Sequence, residues 1–453
     1  MGGEMKKICI IALALSVIFA GGQLRSESAK IAAPQDLANT TRAMKSPGYW
    51  ITRHPFPDRV ILDPREIGAF NENMEKRSLI TGDPSGIGPY YPGKALRASL
   101  EAKLKDYMTG PFYDSSGARI GEEVFQKIRE RMAIELIGKN VEVRHGILWT
   151  YADQRELPTD EIMTKEPLDA EFDELQNNSL DIGTPLAILH ETSDKEWVYT
   201  IGPTSSGWIY KEYVAFCYPV SLKRFESAKH FVVVTSPKAD IYLDRALTAY
   251  HDFVRMGTKL ASDQMTERGA VVVRLPYYDD NGMLREIKGF MKREDVNFGY
   301  LAYTPRAIIE QAFKLLNAPY GWGSAAGEQD CSAFIQMVFA TVGITMPRNS
   351  SGQGEAGYLL GEFTERTPVT IKLEALAREA VGGITTLKLK GHIMLFLGMH
   401  EKRPYAIHAT YIDRVVKGVV ISDLELGKGS KKGSLLERLT DMRLVSDKNV
   451  KGK

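Results

Sequence analysis

Cys331 stands where the start of a helix favours a nucleophilic thiol. It lies in the run YGWGSAAGEQDCSAFIQMVFATVGITMPRNSSGQ, residues 320–353, in which glycines crowd the approach and Asp330 takes an N-cap position. Cys331, Ser332, Ala333 and Phe334 then begin a helix. Phe334, Ile335, Val338, Phe339 and Val342 supply its apolar face, and Gly343 stops it. A thiol in the first turn of a helix meets unpaired backbone N–H groups and the positive end of the helix dipole, both of which favour the thiolate. The same N–H groups suit an oxyanion as a carbonyl becomes tetrahedral. Such chemistry also needs a histidine, to take the thiol proton and pass it to a leaving amine.

Two histidines further along have fitting surroundings. His392 opens the strand-like HIMLFLG, and His408 ends the strand-like PYAIHA. MHEKRPYA between them suits a turn, so the strands are expected to be antiparallel neighbours, with one histidine as acid and base and the other as its orienter. His400, on the intervening loop, is the substitute candidate. Each residue has a plainer explanation when taken singly. A lone cysteine is more often a buried structural residue, a lone histidine more often satisfied at the surface, and Asp330 serves as a helix cap whatever else it does. The combination favours catalysis. A carboxylate beside the nucleophile would also attract a cationic amine.

The elements that must hold these residues begin at Thr304-Pro305, a cap and a first-turn proline. Ile308, Ile309, Ala312, Phe313, Leu315 and Leu316 follow at helical spacing. Helices first and strands afterwards predict an α+β domain. Upstream, from about 139 to 300, short strands follow one another between turn residues, the pattern of small β-barrels. Gly207–Val214 (GWIYKEYV) and Gly289–Val296 (GFMKREDV) repeat one pattern, which argues for two barrels rather than unrelated hairpins. Before them, ALRASLEAKLKDYM and EEVFQKIRERMAIEL predict a helical region with long loops.

Composition sets the class. At 453 residues, with 43% hydrophobic and 25% charged residues, the chain has material for several cores, and about three domains are expected from length alone. A net charge of +1 predicts no nucleic-acid partner. Lys428, Lys431 and Lys432 stand among glycines and serine and read as a solvated loop. Lys6 and Lys7 precede an apolar run at residues 8–20, with small and polar residues after it. This is the form of a secretory signal ending near Ala20 or Gly22, and is shorter than the roughly 20 residues of a membrane span. Export would remove Cys9 and leave Cys217, expected in an apolar strand, and Cys331, which an oxidising compartment permits but does not oblige to pair. The eight histidines show no ligand spacing, no C-x-x-C occurs, and PSGIGPYYPG lacks the lysine and helix of a phosphate loop, so no metal and no cofactor is expected.

Residues 304 to about 445 resemble the catalytic domain of the NlpC/p60 family of papain-like cell-wall peptidases. The resemblance rests on Tyr320-Gly-Trp-Gly, Asp330-Cys-Ser-Ala, the PRNSSGQ turn at 347–353, His392-Ile-Met-Leu-Phe-Leu-Gly and Ile407-His-Ala, in that order. It extends upstream. RHPFPDRVILDPREIGAFN looks like the clip-like region of multidomain members, YADQRELPT at 151–159 like their first bacterial SH3 (SH3b) barrel, and the repeated glycine-aromatic pattern like the closing strand of such barrels. The implied architecture is a signal at 1–22, a helical clip-like region at 23–138, SH3b barrels at 139–222 and 223–303, and a papain-like α+β domain at 304–453.

The implied activity is a γ-D-glutamyl-L-diamino acid endopeptidase acting on peptidoglycan stem peptides, exported to the periplasm or cell envelope. Cys331, His392 and His408 are then catalytic, and Asp330 and Ser332 bind a free N-terminal amine. Tyr320 and Trp322 line the pocket or merely pack, and Arg348 meets a substrate carboxylate or a neighbouring acid. Arg155 and Trp149 are expected to be structural. Ser324 departs from the family, in which many members have glycine, and the long loop between His392 and His408 leaves the third catalytic position open. The rival readings are an endopeptidase or amidase on intact cross-linked murein, and an inert wall-binding scaffold.

Overall fold

The computed structural model describes residues 37 to 450, apart from 264, 265, 268 and 413 to 415. The expected signal at 1–22 lies outside the described residues. Among those described, no helix is long and apolar enough to cross a membrane.

The C-terminal part is built on a six-stranded antiparallel sheet, in the order Tyr358–Glu362, Leu439–Leu444, Thr385–Leu389, His392–His400, Arg403–Ile412, Val416–Asp423. Helix Cys331–Ala340 packs on the middle of this sheet, against the strand His392–His400 and its neighbour. Phe334, Ile335, Val338 and Phe339 bury its apolar face with Ile393, Leu395, Ile407 and Val419. Helix Pro305–Lys314 lies beside it, opened by Thr304, whose side chain accepts from the Ala307 N–H. The strands bearing the two histidines are joined by a two-residue turn in which Glu401 and Lys402 both take left-handed conformations, φ 47° and 65°. Two points differ from expectation. His408 does not end its strand, which runs on to Ile412. A further helix, Val369–Glu379, stands before the central strands and buries Leu376 on the other face of the sheet.

Upstream, seven antiparallel strands between Arg144 and Cys217 form one sheet, and eight between Phe231 and Phe298 form two smaller ones. The two repeated octapeptides follow the same path. Each runs as a strand, passes through one 3-10 turn (Lys211–Tyr213 or Arg293–Asp295), and re-enters a strand at its valine.

The stretch expected as a single helical region divides between two cores. Met44, Trp50, Ile51, Leu62 and Phe70 are buried with Phe334 and Phe339 in the C-terminal core. Ile61 donates its N–H to the Tyr303 carbonyl at 2.9 Å. Leu96, Leu100, Leu104, Phe125 and Ile128, from helices Gly93–Thr109 and Glu122–Met132, are instead buried with Trp197 and Trp208 of the seven-stranded sheet. The apolar periodicity of a short helix says that it needs a partner surface, not which one.

Candidate active site

Asp330 opens the helix of Cys331 as the sequence requires: its Oδ1 accepts from the N–H groups of Ser332 (3.1 Å) and Ala333 (2.8 Å). The Ala333 N–H therefore serves the cap, while the Ser332 N–H is shared between the cap and the Cys331 sulfur. Asp330 also accepts from Ser332 Oγ at 2.9 Å and from both terminal nitrogens of Arg348, at 2.8 and 3.3 Å. Arg348 Nη1 reaches Ser332 Oγ at 3.0 Å as well. Arg348 thus meets a neighbouring acid, and Asp330, Ser332 and Arg348 form one buried cluster. Gln353, at the end of the PRNSSGQ turn, binds the carbonyls of Ser332 and Pro347, each at 2.8 Å, and ties that turn to the helix.

His392 and His408 come together: His392 Nε2 lies 2.8 Å from His408 Nδ1, and His408 Nε2 lies 3.0 Å from Ser422 Oγ. The strand register causes this, since His408 pairs with Val420 and Ser422 stands two residues on, with the same side-chain direction. The N–H of Ile393, next to His392, is directed at the Cys331 sulfur, so the start of this strand lies against the thiol. With Nε2 of His392 donating to His408, its Nδ1 carries the lone pair a base needs, and His408 in turn donates to Ser422. His400 lies at the far end of the strand, where its ring meets the Tyr49 hydroxyl at 3.0 Å.

Burial decides the charges. It pushes the Cys331 thiol up to about 12, and the Asp330 carboxylate adds to the rise; the Ile393 N–H, Arg348 and the Ser332 N–H lower it by less. The thiolate expected from the helix start is therefore not the resting form. Burial also holds His392 down at about 4, aided by the Arg438 charge and opposed by Asp330, and burial beside His392 lowers His408 further. Burial works against the Asp330 charge, but Arg348, the Ala333 N–H and Ser332 outweigh it and hold the carboxyl below the usual range. The site rests as neutral thiol, neutral imidazoles and one compensated ion pair. Such an arrangement can remove the thiol proton as the sulfur attacks, rather than store a thiolate.

Cys331, Asp330, Ser332 and Arg348 open on a cleft of about 620 Å³, with Tyr320 and Trp322 also lining it. The opposite wall comes from elsewhere in the chain: Lys103 and Tyr107 on helix Gly93–Thr109, and Glu156, Glu174, Asn177 and Ser205 around the seven-stranded sheet. That barrels could wall off part of the cleft follows from the expected architecture, but these lining residues and Ser422 carry no local signal in the sequence. Tyr320 and Trp322 also pack, on Phe172 at ring distances of 6.2 and 5.2 Å. Arg155 binds Asp173 at 2.7 Å and the Glu161 carbonyl at 2.7 Å, and the Trp149 ring N–H binds the Glu212 carbonyl. Neither lines the cleft. Cys217 and Cys331 are both unpaired thiols. Among the described residues no group of acids, histidines and cysteines is gathered as a metal site.

Residues 317–414 match the model of the NlpC/P60 family, and residues 164–210 match that of the SH3 domain of SH3b1 type. A stretch of 127 residues is 30% identical to the bifunctional muramidase/DL-endopeptidase CwlT of Bacillus subtilis (strain 168), covering 27% of this chain and 35% of that protein. The chain thus spans about a third of the length of that curated relative. A solved NlpC/P60 endopeptidase from Photobacterium damselae subsp. piscicida shares the fold over 87% of this chain and 96% of its own, with a TM-score of 0.70 at 18% identity. The thiol-bearing helix, its sheet and the strands ahead of them thus share the fold of a solved NlpC/P60 endopeptidase, and within the chain a stretch matching an SH3b domain precedes one matching the NlpC/P60 family.

Proposed function

We propose that the protein is an exported cysteine endopeptidase that hydrolyses the γ-D-glutamyl-L-diamino acid bond of peptidoglycan stem peptides released during wall turnover. One observation carries this reading over action on intact, cross-linked murein. The cleft of Cys331 faces a wall formed by the SH3b-type strands and helix Gly93–Thr109, and its volume of about 620 Å³ suits a short peptide. A glycan-borne network would have to enter past that wall. In this reading the strands from Phe231 to Phe298 form a second SH3b barrel, supported by the repeated strand–turn–strand path. The chain divides as signal, clip-like region, two barrels and peptidase, with the clip shared between two cores.

The reaction follows from the charges. The Cys331 sulfur attacks the γ-carbonyl of D-glutamate while His392 takes the thiol proton. His408, backed by Ser422, holds the ring for that transfer and stabilises the imidazolium. Collapse of the tetrahedral adduct breaks the C–N bond, and His392 gives the proton to the leaving amine of the diamino acid. Water, deprotonated by His392, then cleaves the thioester and restores the thiol. Asp330, Ser332 and Tyr320 receive the free N-terminal amine of the peptide, with Trp322 beside them. Arg348 keeps Asp330 ionised for that purpose and sets the amine in competition with its own guanidinium.

The test is incubation of purified protein with L-Ala-γ-D-Glu-diaminopimelate, with its N-acetylated form, and with intact sacculi, analysed by mass spectrometry beside Cys331→Ala. Cleavage of the free peptide by the wild type alone is expected. Equal action on sacculi would transfer the function to intact murein, and no cleavage of any substrate would leave a wall-binding scaffold.

A further inference from the structure

The loop that leads to the catalytic helix does not hold its own shape. Between Gly321 and Glu328, four residues lie in the left-handed region: Gly323 (φ 58°), Ser324 (66°), Ala326 (56°) and Gly327 (69°). Left-handed backbone costs a non-glycine residue free energy, and Ser324 and Ala326 are not glycine. This path persists because surrounding groups impose it. Trp322, at its head, lines the cleft, and Asp330 and Cys331 follow directly.

Both sets of upstream strands grip this loop. From the SH3b-type strands, the Ser179 hydroxyl, its one proton shared between the Asp153 carboxylate at 2.6 Å and the Ser324 carbonyl at 2.8 Å, faces the loop, and Gln176 Nε2 donates to the Gly323 carbonyl at 3.3 Å. The Gln176 carbonyl is so close that a Cβ on Gly323 would sit 2.2 Å from it. From the strands further on, Lys238 Nζ binds the Glu328 carboxylate at 2.6 Å and the Ala326 carbonyl at 3.3 Å. The Phe253 ring would come within 2.7 Å of a Cβ on Gly327. Tyr151 joins the two grips. Its ring packs on Phe253 with centroids 5.1 Å apart. Its Oη accepts the Gly327 N–H at 3.0 Å and reaches Ser179 Oγ at 2.7 Å and Asp153 Oδ1 at 3.0 Å.

We propose that Tyr151 is a positioning residue for the peptidase site: its hydroxyl holds the strained loop 321–328 in the path that sets Trp322 as a wall of the cleft. Tyr151 does not itself line the cleft. It acts through the loop, and the SH3b domain is thereby part of the active site's framework rather than a tethered binding module. The proposal rests on the peptidase reading for its kinetic consequence, but not for its structural one.

Tyr151→Phe removes only the hydroxyl and keeps the ring on Phe253. Two readouts separate the possibilities. Hydrogen–deuterium exchange of a peptide spanning 321–328, followed by mass spectrometry on the full chain, is expected to speed up by about fivefold, the scale of one net hydrogen bond. Hydrolysis of L-Ala-γ-D-Glu-diaminopimelate is expected to show KM raised about fivefold with kcat within about twofold, because the loop shapes the cleft and not the thiol–imidazole pair. Ser179→Ala, which removes the hydroxyl that faces the loop, provides a second variant and is expected to act in the same direction. Unchanged exchange in both variants overturns the proposal. So does faster exchange with unchanged KM, or a fall in kcat alone. Should the wild type cleave no stem peptide, the peptidase reading fails, while the exchange result still decides whether Tyr151 holds the loop.

Discussion

Ser324 is the most exposed weakness of the cleft loop in energetic terms, although its side chain is wholly buried. It combines a left-handed φ of 66° with a hydroxyl that has no hydrogen-bond partner among the described residues. Two substitutions separate these costs. Ser324→Ala keeps the backbone path and removes the hydroxyl, which relieves a buried unsatisfied group worth about 1–3 kcal/mol. Ser324→Gly also relieves the left-handed conformation, about 1–2 kcal/mol. Glycine gives back roughly 0.5–1 kcal/mol through the freedom of the unfolded chain and roughly 0.8 kcal/mol of lost methylene burial. Both variants are therefore expected to be more stable than the wild type by about 1–2 kcal/mol, with glycine within about 1 kcal/mol of alanine. Urea unfolding followed by tryptophan fluorescence reads this as a midpoint shift of about 0.5 M, taking a slope near 3 kcal/mol/M for a chain of this size. A chain with several cores need not unfold in two states, so the comparison is between midpoints at equal slope. A lower midpoint for alanine would show that the hydroxyl has a partner after all. Glycine well below alanine would show that the loop is not strained at this residue.

The remaining predictions concern the thiol and its neighbours. His408→Ala is expected to lower kcat by about a hundredfold or more, whereas Ser422→Ala, one step further from the thiol, loses less than about tenfold; equal losses would refute the relay order. Arg348→Met strands a buried carboxylate and is expected to cost about 3–5 kcal/mol, partly recovered in Arg348→Met/Asp330→Asn, as urea midpoints of the two variants would show. His392 is held at about 4 against an ordinary 6.5, so between those values the unfolded chain binds more protons than the folded one. Stability contributed by neutral His392 is thus complete above about pH 6.5 and falls as pH drops towards 4. The acid limb of kcat/KM should likewise lie well below 6.5; a limb at or above 6.5 would mean that the imidazole is not desolvated in the working enzyme.

What could be read from the residues was local. A capping aspartate, a cysteine at the first helical position, and a pair of strands each carrying a histidine depend on neighbours a few residues away, and the structure has them: Asp330 caps Cys331's helix, and the histidine strands pair across a two-residue turn. The motif around Arg348 is equally local, but only the fold selects Asp330, at 2.8 Å, as the partner of its guanidinium. Helix Val369–Glu379 escaped notice because its sequence stands within a region dominated by strand signals.

Tertiary structure alone decided the rest. Residues 44–70 and 96–128 fall in one stretch expected as a single helical region, yet they joined different cores, since a pattern of apolar residues states a need for burial and not an address. Ser422 met His408 through strand register, and the far wall of the cleft came from residues more than 100 positions before the cysteine. The charge of Cys331 turned on the same distinction. A helix start favours a thiolate, but that preference is local and modest, whereas the desolvation that raises the thiol to about 12 depends on every element packed around it.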